Sequence, residues 1–161
     1  MVGVPCDWIE EIHACFNDLI ILIEADGSGG RPLKAPAEHE PVIPSVTDIV
    51  IAVAGIDALG LPLTPDWVHR PEYVAELTGL DFGDKIKAET IAKVLGHPEG
   101  CGKGCPSGSR FIPVLNKVDT DYHLEKALEV AGYIMEGGVP VVIFTSCLKW
   151  PVGVDKLVKY C

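Results

Sequence analysis

The segment FIPVLNKVD, residues 111–119, contains the pattern that decides the fold. Its first five residues predict a buried strand, although Pro113 cannot donate to a sheet ladder. An N-K-x-D pattern follows at once, formed by Asn116, Lys117 and Asp119. In GTPases such a turn reads guanine, because its Asp carboxylate accepts from the ring N–H and the amino group, which adenine cannot match. The alternative is that Asp119 or Asp121 caps a helix over 121–136.

The rest of the chain alternates between strand-like and helix-like segments, with no internal repeat and no low-complexity linker. Apolar runs predict strands at 19–23, 49–54, 111–115 and 141–144, and periodicity predicts helices at 6–17, 71–79, 84–96, 121–136 and 154–160. Continuous apolar strands separated by helices predict one α/β domain over 1–161, with a mostly parallel sheet covered on both faces. This is a Rossmann-like three-layer arrangement of the P-loop NTPase kind.

Packing roles follow from the same helical periodicity. Some apolar helix positions are expected in the core, and the tryptophans are expected to act as packing anchors. The core positions are Ile9, Ile12, Leu124, Leu128 and Ile134, and the anchors are Trp8, Trp67 and Trp150.

In parallel sheets ligands bind beyond the carboxyl ends of the strands. After the first strand come Glu24 and Asp26, a Walker B-like ending in which Asp26 holds Mg²⁺ opposite nucleotide phosphates and Glu24 orients water. A strand that merely ends in an acidic turn is the alternative. After the fourth strand, a loop with Ser146 is suited to meet the guanine carbonyl through backbone N–H groups. The predicted nucleotide-binding residues are Gly27, Ser28, Asn116, Lys117, Asp119 and Ser146.

A phosphate-binding loop of the form G-x-x-x-x-G-K-[ST] does not occur in the 161 residues. The segment GCGKGC at 100–105 fails the pattern, since Gly104 follows its lysine and Pro106 opposes a helix start. We therefore expect an N-terminally incomplete P-loop fold, which puts NTP hydrolysis by this polypeptide in doubt. A missing strand would expose a sheet edge, so self-association as a homo-oligomer or marginal stability is expected.

Loops rich in Pro, Glu and His offer a second candidate site. Their polar residues suit a pocket for an anionic or metal-containing ligand: Lys34, His39, Glu40, His69, Arg70 and His97. The alternative is that these side chains brace rigid loop corners by bonding backbone groups. The spacing of His97, Cys101 and Cys105 suggests zinc only weakly, because it lacks the tight C-x₂-C knuckle.

Composition excludes several classes of function. The formal net charge is −10, with 13 Lys and Arg scattered against 23 Asp and Glu, so no basic face is expected for nucleic acid or a membrane surface. There is no apolar run of about 18 residues and no signal-peptide pattern at the start, so a cytoplasmic location is expected. The six cysteines are then thiols and not a disulfide framework.

Several segments together resemble the selenium-dependent hydroxylase accessory proteins of the YqeC type. They are LIEADGSGGRPLKAPAEHEPVIP (22–44), VAGIDALGLPL (53–63), VHRPE (68–72), HPEGCGKGCP (97–106) and LNKVD (115–119). Members of that family look like P-loop NTPases of the metallochaperone-GTPase kind, with a Walker A segment near the N-terminus. This chain departs from the pattern in lacking that segment and in having Gly29 where a basic residue is frequent, with Arg31 two residues on.

The resemblance implies a nucleotide-dependent factor, using GTP or another NTP with Mg²⁺, in the maturation of selenium-dependent molybdenum hydroxylases. The implied partners are the hydroxylase or its cofactor-maturation machinery, with the molybdenum cofactor as a further ligand. One alternative is a non-catalytic module that binds a partner enzyme or the molybdenum cofactor. Another is a nucleotidyltransferase acting on a molybdopterin.

Overall fold

The computed structural model describes residues 3–16, 18–148 and 153–159. Helices α1 to α4 span Cys6–Cys15, Pro71–Thr78, Ala88–Gly96 and Asp121–Glu136, and a 3₁₀ helix spans Ile56–Ala58. Strands β1 to β6 span Leu33–Lys34, Ile49–Gly55, Val68–His69, Arg110–Asn116, Val141–Ser146 and Gly153–Lys159. The α/β class is confirmed, and the helix expected at 121–136 has the expected bounds.

The main sheet has the strand order β2-β4-β5-β6, and a separate two-stranded sheet pairs β1 with β3. Strands β2, β4 and β5 are parallel, as expected, while β6 runs antiparallel to β5. The helix expected at 154–160 is wrong, because this segment is β6. Ladder pairing with the backbone of β5 outweighs the weak helical pattern there, as tertiary context often outweighs propensity.

Helices α3 and α4 pack together against one face of the sheet. Buried side chains of that face include Ala52 and Ala54 of β2, Leu115 of β4 and Phe144 of β5, and Ile134 of α4 is 1% exposed. On the opposite face, Ile49, Ile51 and Val53 are 40%, 61% and 58% exposed. Among the described residues, helices therefore cover only one face of the sheet. The prediction that both faces are covered is not confirmed in this part of the chain.

The strand expected at 19–23 is wrong. Residues 19–23 belong to no described strand, and Leu19, Ile20 and Leu22 are all more than half exposed. A continuous apolar run becomes a buried strand only where neighbours supply ladder bonds and cover both faces. The described part of the chain supplies neither to this segment, so Glu24 and Asp26 do not follow a strand.

Helix α1 forms where its periodicity predicts, but it has no buried residue. Trp8 is 60% exposed and Ile12 39%, so the core and anchor roles expected of them are wrong, as they are for Leu128 and Trp67. Trp150 lies outside the described residues. Helix α3 begins at Ala88 and not at 84, because Ile86 pairs in extended form with Gly60 and Leu61.

Among the described residues, no helix combines the length and the apolar character needed to cross a bilayer.

Candidate functional site

The N-K-x-D turn lies at the carboxyl end of β4. Asn116 is the last residue of that strand, and Lys117 adopts a left-handed backbone conformation with φ 64°. Such a φ is uncommon for a residue other than glycine, and here it turns the chain directly after the strand. The N–H of buried Val118 then donates to the carbonyl of Thr145 over 3.0 Å, which fixes the turn against the end of β5.

Side-chain hydrogen bonds join the same turn to β5. The Thr145 hydroxyl donates to Asn116 Oδ1 over 2.9 Å, and the Ser146 hydroxyl donates to Asp119 Oδ1 over 2.5 Å. Ser146 is 1% exposed, so its hydroxyl is a rigid partner for the carboxylate. The structure thus brings together three of the residues that the sequence predicts to bind a nucleotide.

The alternative role of Asp119 or Asp121 as a helix cap is wrong. Thr120 is the N-cap of α4, and its hydroxyl accepts from the backbone N–H of His123 over 3.1 Å. Asp119 therefore lies outside the helix, with Oδ1 held by Ser146. Among the hydrogen bonds of the described residues, none uses Asp119 Oδ2, so this oxygen is free to meet a ligand.

Sequence reasoning missed Asp57, which lies in the 3₁₀ helix directly after β2. The Lys117 ammonium bonds to Asp57 Oδ2 over 2.7 Å. The sequence could have indicated Asp57, because ligands bind beyond the carboxyl ends of parallel strands and the segment AGID at 54–57 follows the strand predicted at 49–54.

A second group of side chains forms what we call the Lys34 cluster: Asp26, Lys34, Glu40 and Arg70. The side chain of Lys34 is 9% exposed, and its ammonium contacts Asp26 Oδ1, Glu40 Oε2 at 2.9 Å and the carbonyl of Gly27 at 3.2 Å. The guanidinium of Arg70 bonds to the same oxygen, Glu40 Oε2. Two carboxylates and two cations therefore compensate one another in a partly buried place, as burial of charge requires.

Backbone geometry positions this cluster. Strand β1 pairs with β3 so that Lys34 lies opposite His69, next to Arg70 in the chain. Arg70 has φ 56°, a left-handed conformation, and immediately precedes Pro71, the first residue of α2. A residue other than glycine keeps such a conformation only where its surroundings hold it, and the bond to Glu40 does so here.

The cluster shifts the pKa of its member Glu40 and the pKa of the neighbouring His69. Burial raises the pKa of Glu40, but hydrogen bonds from Lys34, from the Ala37 N–H and from Arg70 outweigh burial and hold this pKa at about 2. Burial lowers the pKa of His69 below 6.5, and the positive charges of Lys34, Arg70 and Arg31 lower it further. Near neutral pH, Glu40 is therefore ionised and His69 is neutral.

The depressed pKa of Glu40 predicts a pH-dependent contribution to stability. It falls from 4.5 to about 2 on folding. The ionised group therefore stabilises the fold above about pH 4.5, and this contribution is lost as the pH falls toward 2. We expect E40Q to lower the free energy of unfolding at pH 7 by up to about 3 kcal/mol, a difference that shrinks by more than half by about pH 3.

Urea unfolding of the two proteins across this pH range measures the difference. E38Q is the matched control, since Glu38 is an exposed glutamate two residues away. A difference between wild type and E40Q that stays constant from pH 7 to pH 3 would contradict the assigned ion pairs.

The Lys34 cluster and the N-K-x-D turn both border Gly55, the last residue of β2. The N–H of Gly55 donates to the carbonyl of Pro32 over 2.8 Å, just before β1 and Lys34. On the β4 side, Gly55 is in register with Asn116. The loop that carries Asp26 and Lys34 therefore reaches the same rim of the sheet as the predicted guanine-binding residues.

Other predicted residues lie apart from these groups. Glu24 is exposed, and His39 is exposed beside Glu40, its Nε2 3.8 Å from Oε1. The Ser28 carbonyl accepts from the Arg31 N–H over 3.3 Å, a turn contact. His97 Nδ1 accepts from the Glu99 N–H over 3.1 Å, which is the loop-corner role.

His97 also lines a groove of about 230 Å³ between α3 and α4, together with Lys93 and Tyr133. No described contact joins His97 to the Lys34 cluster, so the six-residue pocket expected from the sequence is not assembled as one. Lys34, Glu40, His69 and Arg70 are brought together, and His39 lies at their margin.

The described residues contain no group of three or more His, Cys, Asp or Glu side chains that could hold a metal ion. Burial raises the pKa of Cys101 to about 12, and its sulfur lies 3.8 Å from the carbonyl oxygen of Lys34. A thiol in this state is protonated and unreactive, and Cys101 belongs to no group of potential metal ligands among the described residues. The geometry therefore gives no support to zinc at His97, Cys101 and Cys105.

Comparison with known proteins gives one family and one curated relative. A family model described as "YqeC protein" matches residues 1–72. The chain is 43% identical over 98 residues to the uncharacterized protein YqeC of Escherichia coli (strain K12). This match covers 61% of the chain and 38% of the length of that relative. No solved structure matches the chain. In its first 72 residues, which include Asp26, Lys34, Glu40 and Arg70, the chain is thus similar to the YqeC proteins.

Proposed function

We propose that the chain is a YqeC-type accessory factor that binds a guanine nucleotide at the N-K-x-D turn and takes part in maturing selenium-dependent molybdenum hydroxylases. The observation that carries the guanine assignment is the hydrogen bond from Ser146 to Asp119 Oδ1. It holds the carboxylate at the carboxyl rim of a parallel sheet, the edge at which such sheets bind ligands.

In this proposal the base lies over the rim between the ends of β4 and β5. Asp119 accepts from the ring N–H and the amino group of guanine through its fixed carboxylate. Asn116, bonded to Thr145, braces the turn, and the alkyl stem of Lys117 lies against the face of the ring. Adenine offers a ring nitrogen acceptor where guanine has its N–H, so it would leave the carboxylate unpaired, at a cost of about 1–3 kcal/mol or more.

A cation position next to Asp26 supports a role for Mg²⁺. The Lys34 ammonium is bonded there to two oxygens, Asp26 Oδ1 and the Gly27 carbonyl, which are of the type that Mg²⁺ prefers. Mg²⁺ would be held by Asp26, with the other ligands from water and phosphate, and would supply charge neutralisation for the phosphates. Binding would require the Lys34 ammonium to leave Asp26, and its released charge would then be available to the nucleotide.

The assignment to hydroxylase maturation rests on the resemblance of the segments at 22–44, 53–63, 68–72, 97–106 and 115–119 to YqeC-type proteins. The similarity over residues 1–72 supports a relationship to the YqeC proteins, and the reaction has to be determined by experiment. Guanine binding is the part of the proposal that can be measured on this chain alone.

The test is an NMR titration of the ¹⁵N-labelled chain with GDP and ADP, each with and without Mg²⁺. We expect GDP to bind at least about tenfold more tightly than ADP, since one mismatched hydrogen-bond pair is worth about 1.4 kcal/mol or more. The largest shifts should fall on the amides of Asn116 to Asp119 and on Cys147. NMR is chosen because it measures dissociation constants into the millimolar range. Tighter binding of ADP would refute the guanine assignment.

A second candidate function is a non-catalytic module for an anionic ligand, such as a phosphate-bearing molybdenum cofactor. Lys34 lies opposite His69 in the β1–β3 pair, Arg70 is next to His69 in the chain, and the Arg31 and His69 side chains both lie beside Gly29. The same titration separates the two candidates. Equal affinity for GDP and ADP, with shifts around His69 and none at Asp119, would favour this second function.

A further inference from the structure

The carboxylate of Asp57 is fixed by its surroundings on one side. A Cβ placed on Gly55 would lie 2.2 Å from Asp57 Oδ1, so this oxygen packs directly against the Gly55 backbone. Oδ1 is buried and has no hydrogen-bond partner among the described residues. Its neighbours in the 3₁₀ helix, Ile56 and Ala58, are fully or almost fully buried. Asp57 is therefore anchored at the end of β2.

The other oxygen of Asp57 holds Lys117. The ammonium lies 2.7 Å from Oδ2, and both side chains are partly exposed, at 48% for Lys117 and 39% for Asp57. The backbone of Lys117 is constrained as well, because its φ is 64°. Both ends of this long side chain are thus fixed, and its alkyl stem spans the rim from the end of β4 to the end of β2.

A free lysine side chain loses about 1.5–2 kcal/mol of conformational entropy when it is ordered. If Lys117 covers the face of a bound base, an ion pair that orders its stem beforehand removes part of that cost from binding. Asp57 would then affect affinity without touching the base.

We infer that Asp57 is a positioning residue of the guanine site, acting through the Lys117 side chain, which it holds across the rim for stacking on the base. This inference rests on the proposed function. It extends the base site from β4 and β5 to β2, and it gives a role to the AGID segment.

The experiment is a double-mutant cycle on GDP affinity, measured by NMR titration of wild type, D57N, K117M and D57N/K117M. We expect D57N to weaken GDP binding by about threefold to fivefold, the effect of losing a partly exposed ion pair. We expect D57N to have no further effect in the K117M background, because Asp57 then has nothing to position. D66N, which neutralises an exposed aspartate nine residues away, is the charge-matched control and should leave GDP affinity unchanged.

An equal loss from D57N in both backgrounds, or no loss in either, would overturn the inference, since Asp57 would then act on the fold or not at all. A second measurement separates this failure from failure of the proposed function. Carbon relaxation of the Lys117 ε-methylene reports whether the side chain is ordered without nucleotide. If wild type binds no GDP, the base site itself fails. Equal mobility of Lys117 in wild type and D57N would then also reject the positioning role.

Discussion

Replacing Asp119 by Asn is expected to weaken GDP binding by about 100-fold or more. The carboxylate makes two charge-assisted hydrogen bonds to guanine in the proposed site, and each such bond is worth about 1.5–3 kcal/mol. In D119N the Asn Oδ1 can still accept from Ser146, whose hydroxyl bonds Asp119 Oδ1 over 2.5 Å in the wild type. The new –NH₂ group then stands in place of Oδ2. A donor would face the amino group of guanine, itself a donor.

The same change predicts a gain of affinity for another base. Xanthine keeps the ring N–H but has a carbonyl where guanine has its amino group, so an amide at position 119 matches it with one acceptor and one donor. We therefore expect D119N to bind xanthosine diphosphate at least about tenfold more tightly than wild type does, the value of roughly one hydrogen bond. A variant that had merely lost its fold would gain nothing.

The measurement is the NMR titration used for wild type, with both diphosphates. At a GDP concentration ten times the wild-type dissociation constant, D119N should show almost no shift. D121N is the matched control, because it removes the same charge from the first residue of α4 and should bind GDP as wild type does. If D119N bound GDP within about threefold of wild type, Asp119 could not contact the base, and the guanine assignment would fail.

The predictable parts of the fold are those encoded locally. The strands predicted at 49–54, 111–115 and 141–144 are each observed one or two residues longer, because each apolar run pairs with a neighbouring strand of the main sheet. The run at 19–23 has the same pattern but no described neighbour to pair with, and it stays exposed. A pattern of side chains specifies a strand only together with the partner that completes its ladder.

The candidate site was predictable to the same extent. Asn116, Asp119 and Ser146 could be brought together from sequence, because parallel strands end at a common rim. The pairing of Lys34 with Asp26 and Glu40 could not, since it depends on how an irregular loop folds back over six to eight residues. The contact of Asp57 with Lys117 joins residues 60 apart and depends on the register of β2 with β4.

Replacing Lys34 by Met is expected to lower the free energy of unfolding by about 3–5 kcal/mol, the usual cost of removing one partner from a buried ion pair. The side chain of Lys34 is 9% exposed, and the Glu40 and Asp26 side chains are 14% and 20% exposed. Methionine keeps most of the alkyl stem, so the loss should come from the carboxylates, because Asp26 then has no cation and Glu40 has Arg70 alone. Urea unfolding at pH 7 measures it.

Two further variants separate charge from packing. K126M is the control for a surface lysine: Lys126 pairs with Glu125 and Glu129 on α4, and its loss should cost much less stability than the loss of Lys34, because solvent screens exposed ion pairs. Adding D26N to K34M removes the carboxylate that Lys34 pairs and Arg70 does not, so the double variant should be more stable than K34M by about 1 kcal/mol or more. A cost of K34M no larger than that of K126M would mean that water already compensates Asp26 and Glu40. Asp26 would then not need the Lys34 ammonium. The contact between them would no longer be evidence for a cation-binding position at Asp26.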